Sequence, residues 1–236
     1  MSDDKGIVYL LASQSPRRRE LMKLLGHPVS QVAADVDEDS VNTPDPAANV
    51  MDTAVLKAHT IAHTFTSAPG LRTILIAADT TVAVDGEMLN KPADETEARW
   101  MLRRLRGRAH EVHSGYVVRE LGSGAEVVGV HTAVVTMRPY TDAEIEAYVA
   151  TGDPLDKAGA YAIQHPVFRP VQSLQGCFLG VMGLPLCDLM GALRELGVEV
   201  NVDLTAVHLA HQQFPCPVID HLIGRLVLRQ SDVQSP

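Results

Sequence analysis

Cysteine is scarce in this 236-residue chain: Cys177, Cys187 and Cys216 are the only three, widely spaced and without a C-x-x-C pair. An odd, dispersed set argues against a disulfide framework and against a cysteine zinc site. Basic charge is also short. Twenty Lys and Arg stand against twenty-nine Asp and Glu, for a net charge of -9, which excludes a general nucleic-acid binder. No apolar run is long enough to cross a bilayer. The opening "MSDDKGIVYLLASQ" has two acids, a lysine and a short apolar stretch, and resembles neither a signal nor a transit peptide. A cytoplasmic chain with no membrane partner is expected. Internal repeats, disordered tracts and inter-domain linkers are absent as well. What is present is 46% hydrophobic residues, enough to build a buried core.

The pattern of elements is alternating. "GIVYLLAS" reads as a buried strand running into a helix that starts at Ser15-Pro16, with Leu21, Leu24 and Leu25 on one face and Gly26 as a stop. "QVAADVDEDSVNT" is extended and then an acidic loop, and "AANVMDTAVLKAHTIAHTF" is a helix. "LRTILIAADTTVAVDGEML" holds a second buried strand and a hairpin turning at Asp85-Gly86. The helix "ADETEARWMLRRLRG" is capped by Asp94, with Glu97 three residues on. Two strands joined through Gly122-Ser123-Gly124 follow, then a helix with Thr141 and Glu144 as a capping box. A strand is expected near "CFLGVMGLP" and a helix over residues 186–196. The fold class is therefore α/β with a mixed sheet. Residues 1–200 read as one domain and 201–236 as a C-terminal extension.

Three groups of residues point to chemistry. Arg17, Arg18 and Arg19 occupy the first helical turn, where the helix dipole disfavours cations by a few tenths of a kcal/mol, up to about 1, each. A bound phosphate would reverse that, since helix N-termini and arginines both favour phosphate oxygens; solvent exposure is the bland alternative. The carboxylates are Asp35, Asp37, Glu38 and Asp39 in one loop, and Asp79 at the end of an apolar strand. Such oxygen ligands suit Mg²⁺. Lys57, Lys91 and Lys157 supply further cations for a polyphosphate.

Taken together these blocks resemble the Maf family of nucleoside triphosphate pyrophosphatases. The resemblance runs from "LASQSPRRRELMKLLG" through "AADTTVAVDGEMLNKPADETEARWMLRRLRGRAHEVHSG" and "YVATGDPLDKAGAYAIQ" to "GVMGLPLCDLMGAL", in order. It implies an elongated mixed sheet flanked by helices, similar to the inosine triphosphatase-like fold, and a homodimer. It implies hydrolysis between the α- and β-phosphates with Mg²⁺ or Mn²⁺. By the same resemblance Asp79 is the catalytic acid-base residue and, with Glu38, a metal ligand, while Arg18, Lys57, Lys91 and Lys157 bind phosphates. Arg17, Thr80 and Gln164 match the specificity positions of the branch acting on dTTP and UTP, rather than the 7-methyl-GTP branch with its Trp and Gln. Two positions depart from the family pattern: His165 follows Gln164 where Gly is usual, and Gly180 stands where Asn is frequent.

Two other readings stay open on the residues alone. One is a nucleotide-binding regulator, linked to cell division, that does not hydrolyse its ligand. The other is a metal-binding or scaffold role for the tail through His208, His211, Cys216 and His221; their loose spacing reads as ordinary surface or interface histidines instead of a zinc site.

Overall fold

The computed structural model describes residues 6–200, 202–211 and 214–216. Its centre is a seven-stranded sheet: β1 (Gly6–Ala12), β2 (Val29–Val32), β3 (Leu71–Val84), β4 (Glu87–Leu89), β5 (Ala109–Glu120), β6 (Glu126–Met137) and β7 (Val171–Gln175). The spatial order is β2-β1-β3-β5-β6-β7, with β4 paired to β3 as a hairpin. β1 runs parallel to β2 and β3; the pairs β3-β5, β5-β6 and β6-β7 are antiparallel. The mixed α/β class expected from the alternating pattern is the one observed.

Strand periodicity places side chains on opposite faces. Tyr9 and Leu11 of β1, with Ile74 and Ile76 of β3, enter the larger core cluster. Leu10, Ala12, Leu75 and Ala77 enter the smaller one, beneath α2 (Pro46–Thr64). That helix is capped by Asp45, whose carboxylate accepts from Ala48 N at 2.9 Å. Its buried stripe is Val50, Thr53, Ala54, Lys57, Ala58 and Ile61, the 3- and 4-residue spacing of one helical face. α2 crosses β5 at Gly115, where any Cβ would strike the Val50 carbonyl. Glycine is required there by contact, and the close approach sets the helix height over the sheet.

The remaining helices are α1 (Pro16–Met22), α3 (Glu95–Leu105), α4 (Asp142–Val149), α5 (Phe178–Val181), α6 (Leu186–Glu195) and α7 (Leu204–Ala210). The Asp94 cap and the Thr141–Glu144 capping box both form. One expectation fails: "CFLGVMGLP" is not a strand. The strand lies earlier, at β7, and Cys177 instead caps α5 by accepting from Gly180 N at 3.4 Å. A short apolar run buried on all sides carries no period that separates strand from helix. Gly176 and Gly183, at φ 116° and 113°, bracket the short helix with backbone turns that only glycine makes easily.

Residues 202–211 and 214–216, from the expected extension, pack on this body. Val207 is fully buried, and Phe214 stacks on Phe178 at 5.3 Å. His221 and the rest of residues 217–236 lie outside the described residues. Among the described residues no helix is long and apolar enough to cross a membrane.

Candidate active site

β1 pairs with β3 only as far as Ala12 opposite Ala77, and β4 takes up the same edge of β3 at Val82. Between these partners, residues 78–81 of β3 have an open edge. A cavity of about 620 Å³ lies there, bounded by the end of β1, the start of α1, and residues 156–164 and 181–183. It has the size of a small-ligand site. Arg17, Arg18, Glu38, Lys57, Asp79, Thr80, Lys91, Lys157 and Gln164 all line it. All nine site residues expected from sequence therefore share one cavity, although they span almost 150 positions.

The three arginines diverge. Arg19 is exposed. Arg17 donates from Nη1 to Asp156 Oδ2 at 3.0 Å and from Nη2 to the Asp156 carbonyl at 3.4 Å. Arg18 turns inward: Nε donates to the Gly183 carbonyl at 2.8 Å, Nη1 to the Ala78 carbonyl at 2.8 Å and Ser13 Oγ at 3.3 Å, and Nη2 to Thr80 Oγ1 at 3.1 Å. Four of the five guanidinium donors are thus held by protein. The Ala78 carbonyl is on the open edge of β3, so the gap in the sheet is what lets Arg18 in. Burial pulls its pKa down and Asp79 opposes that; an arginine stays charged regardless.

A directional chain continues from it. Ser114 Oγ donates to the Gly180 carbonyl at 2.8 Å, so its single proton is used. The 2.8 Å contact between Thr80 Oγ1 and Ser114 Oγ then has Thr80 as donor, and Thr80 in turn accepts from Arg18. This chain ties the 180–183 turn to β3 and β5.

The carboxylates meet on Lys57. Its Nζ donates to Asp79 Oδ1 at 2.7 Å and pairs with Glu38 Oε1 at 2.9 Å. Lys57 is 6% exposed, whereas the Glu38 side chain is about half exposed. Lys57 stands two turns after Val50 on the buried face of α2, so the Gly115 contact aims it at Asp79. The donor set is hard oxygen, the kind that Mg²⁺ or Mn²⁺ takes, and Asp39 lines the same side.

On the facing wall Lys157 Nζ donates to the Asp153 carbonyl at 2.6 Å, Asp153 Oδ1 at 2.9 Å and Asp156 Oδ1 at 2.5 Å. Burial raises the Asp153 and Asp156 carboxyls, but the bonds from Tyr148 and Lys157 to Asp153, and from Lys157 and Arg17 to Asp156, bring both below the usual range. Lys91 is exposed at the rim and has no ion-pair partner among the described residues. Gln164 is half-buried.

Sequence reasoning missed Asp153 and Asp156 as partners, although D-x-x-D-K shows the spacing. It also missed Ser13 and Ser114; a polar residue in the buried phase of a strand was the available sign for Ser114. The two departures lie outside the cavity lining. His165 accepts from Phe168 N at 2.9 Å and packs edge-on to Tyr148, and a Cβ on Gly180 would stand 3.0 Å from the His131 ring.

Comparison with known proteins follows this geometry. A chain from Dictyoglomus thermophilum named dTTP/UTP pyrophosphatase is 41% identical over 192 residues, covering 81% of this chain and 97% of the relative. Chains of the same name from Salinibacter ruber and Anaeromyxobacter dehalogenans are each 44% identical, covering 78% and 80% of this chain and 89% and 93% of theirs. A solved nucleoside-triphosphatase / dITP/XTP pyrophosphatase from Mycobacterium abscessus matches 56% of this chain and 73% of its own, at 19% identity and a TM-score of 0.33, a likeness too low to bear on function. The Maf-like protein family profile matches residues 9–196, from β1 to the end of α6, and the chain belongs to that family.

Proposed function

We propose that the chain is a nucleoside triphosphate pyrophosphatase that hydrolyses dTTP and UTP to the monophosphate and pyrophosphate. The observation that carries the reading is the convergence of Asp79, Lys57, Glu38 and the arginine-headed helix on one cavity. The names of relatives above 40% identity agree with it.

In this reading Asp79 accepts the proton of a water that attacks the α-phosphorus, as the bond to the bridging oxygen breaks and pyrophosphate leaves. Lys57 holds Asp79 through Oδ1, which leaves Oδ2 for the water. Glu38 and Asp79 would hold Mg²⁺ or Mn²⁺, which supplies charge neutralisation on the phosphates when bound. Lys91 faces the triphosphate. Lys157 spends its three donors on Asp153 and Asp156 and so braces the wall instead of binding a phosphate directly. Arg18 adds a fixed positive charge while its hydrogen bonds keep the 183 turn in place. No side-chain nucleophile is needed, because phosphoryl chemistry of this kind rests on positioning and electrostatics.

Arg17, Thr80 and Gln164 set the base preference in this proposal. The Gln164 amide offers one acceptor and two donors, which suits the edge of uracil or thymine. Arg17 lines the cavity with its guanidinium held by Asp156. The family resemblance extends the reading to a cytoplasmic homodimer with no nucleic-acid partner; light scattering on the purified chain tests the dimer.

The test is incubation with dTTP, UTP, CTP, 7-methyl-GTP and ITP, each with Mg²⁺ or Mn²⁺, and identification of the products. Monophosphate and pyrophosphate from dTTP and UTP are expected. The same products from another nucleotide alone would remove the base assignment. Nucleotide binding without turnover would favour the regulatory role.

A further inference from the structure

The three cysteines, dispersed in sequence, meet in the folded chain. Cys177 precedes α5, Cys187 is in the first turn of α6, and Cys216 comes from the C-terminal arm together with His211 at the end of α7. All four are 4% exposed or less. The Sγ atoms of Cys177 and Cys216 and a ring nitrogen of His211 lie within 4.8 Å of one another. Cys177 Sγ is 3.5 Å from His211 Nε2, and Cys187 Sγ is 3.9 Å from Cys216 Sγ.

We propose that Cys177, Cys187, His211 and Cys216 form a structural zinc site that clamps the C-terminal arm to the core. Zinc–sulfur bonds of about 2.3 Å and zinc–nitrogen bonds of about 2.0–2.1 Å, in a tetrahedron, put sulfurs about 3.8 Å apart and sulfur and nitrogen about 3.6 Å apart. The two observed separations match these values; Cys177, His211 and Cys216 are the three that lie mutually within 4.8 Å, and Cys187 joins them through Cys216. Three thiols and one imidazole form a closed structural set with no position left for water. His211 and Cys216 are five apart, a common spacing for a ligand pair, while the turn after α5 brings Cys177 to Cys187.

The surroundings are those of ligands. His211 Nδ1 donates to the Val207 carbonyl at 2.7 Å, which orients the ring so that Nε2 is aimed at the sulfurs. Gly180 N donates to Cys177 Sγ at 3.4 Å. Cys177 N donates to His131 Nε2 at 2.9 Å, and His131 Nδ1 pairs with Asp188 at 2.9 Å. A divalent cation binds the thiols as thiolates, and the displaced thiol protons pass to solvent. The clamp also bears on the nucleotide cavity, since Cys177 caps the helix whose following turn presents Gly183 to Arg18.

The experiment uses the full chain carrying Asp79→Asn, which weakens metal binding in the nucleotide cavity. The chain is purified under reducing conditions, stripped with a chelator, reloaded with Zn²⁺ and freed of excess. Elemental analysis is expected to find one zinc per chain, and loading with Co²⁺ instead to give thiolate-to-cobalt charge transfer with tetrahedral d–d bands. Cys216→Ser and His211→Ala, on the same background, are expected to weaken zinc retention against a competing chelator at least tenfold. Substoichiometric zinc with three titratable thiols would overturn the proposal, as would a Cys187–Cys216 disulfide that persists under those reducing conditions. A cobalt spectrum without thiolate bands would overturn it too, and that measurement needs no cysteine variant to fold.

Discussion

Two buried lysines face each other across the cavity, and they are buried for different ends. Lys57 sits on a nineteen-residue helix, 6% exposed, and its ammonium is shared between Asp79 and Glu38. Arg18 lies in the field of the same two carboxylates, and Asp39 lines the same cavity, so three carboxylates stand against two cations and leave that wall with a negative charge in excess. Lys157 is 8% exposed on an irregular segment and is held by Asp153 and Asp156, the second of which also takes Arg17. Two cations and two carboxylates leave that wall balanced. A divalent cation is therefore attracted to the Lys57 wall, while the Lys157 wall is a self-contained brace. Burial alone says little about a charged residue; the sum over its partners tells what the site can still bind.

The comparison breaks most sharply at Asp79. Asp79→Asn is expected to lower turnover of dTTP by about 10²- to 10⁴-fold, the range for a lost general base, while nucleotide binding and thermal unfolding remain close to the parent. Steady-state kinetics with calorimetric titration would check it, and full activity in the variant would remove Asp79 from the role of base.

The lysines come next. Lys57→Met is expected to lower turnover on the order of 10²-fold, as for loss of a positioned electrostatic group. Lys157→Met should keep turnover within about tenfold but cost about 2 kcal/mol of stability, a buried-pair loss discounted for its half-open partners. Denaturant melts and kinetics on both variants would read this, and the opposite order would undo the contrast between the walls.

A finer cut is made by Gln164→Ala. Loss of the amide should reduce discrimination between dTTP and a purine nucleotide by about 1–3 kcal/mol, roughly 5- to 150-fold in the ratio of kcat/KM. Unchanged discrimination would leave base choice to other residues.

A pH effect belongs to the buried pair in which His110 Nε2 meets Tyr161 OH at 2.8 Å. Burial pushes His110 down from 6.5 to about 4. The unfolded chain takes up a proton near the upper value and the folded chain only near the lower. Stability is therefore full above about pH 6.5 and falls as pH drops toward 4, by up to about 3 kcal/mol. In His110→Gln that slope should flatten; equilibrium unfolding across this range measures it.

Much of this was legible from residues alone. The Ser15, Asp94 and Thr141 caps are local, since each bonds to a backbone amide three residues away. The aspartate closing an apolar strand was visible as a local contradiction, and such contradictions mark sites; Lys57 was legible only as one of several cations. Asp156 was not legible as the partner of Arg17, because 139 positions separate them and no period connects loop to helix. The segment at α5 was misread for want of any period.

The sequence by itself determined most of the elements, the phase of their buried faces, and which residue types were available for a polyphosphate, because caps and periodicity act over a few residues. Tertiary structure alone decided which charges share a partner. The gap in the edge of β3 turned Arg18 inward, the Gly115 contact set Lys57 on Asp79, and the docked C-terminal arm brought Cys216 and His211 to Cys177 and Cys187. Each depends on where distant segments come to rest, and packing geometry, not local propensity, sets that.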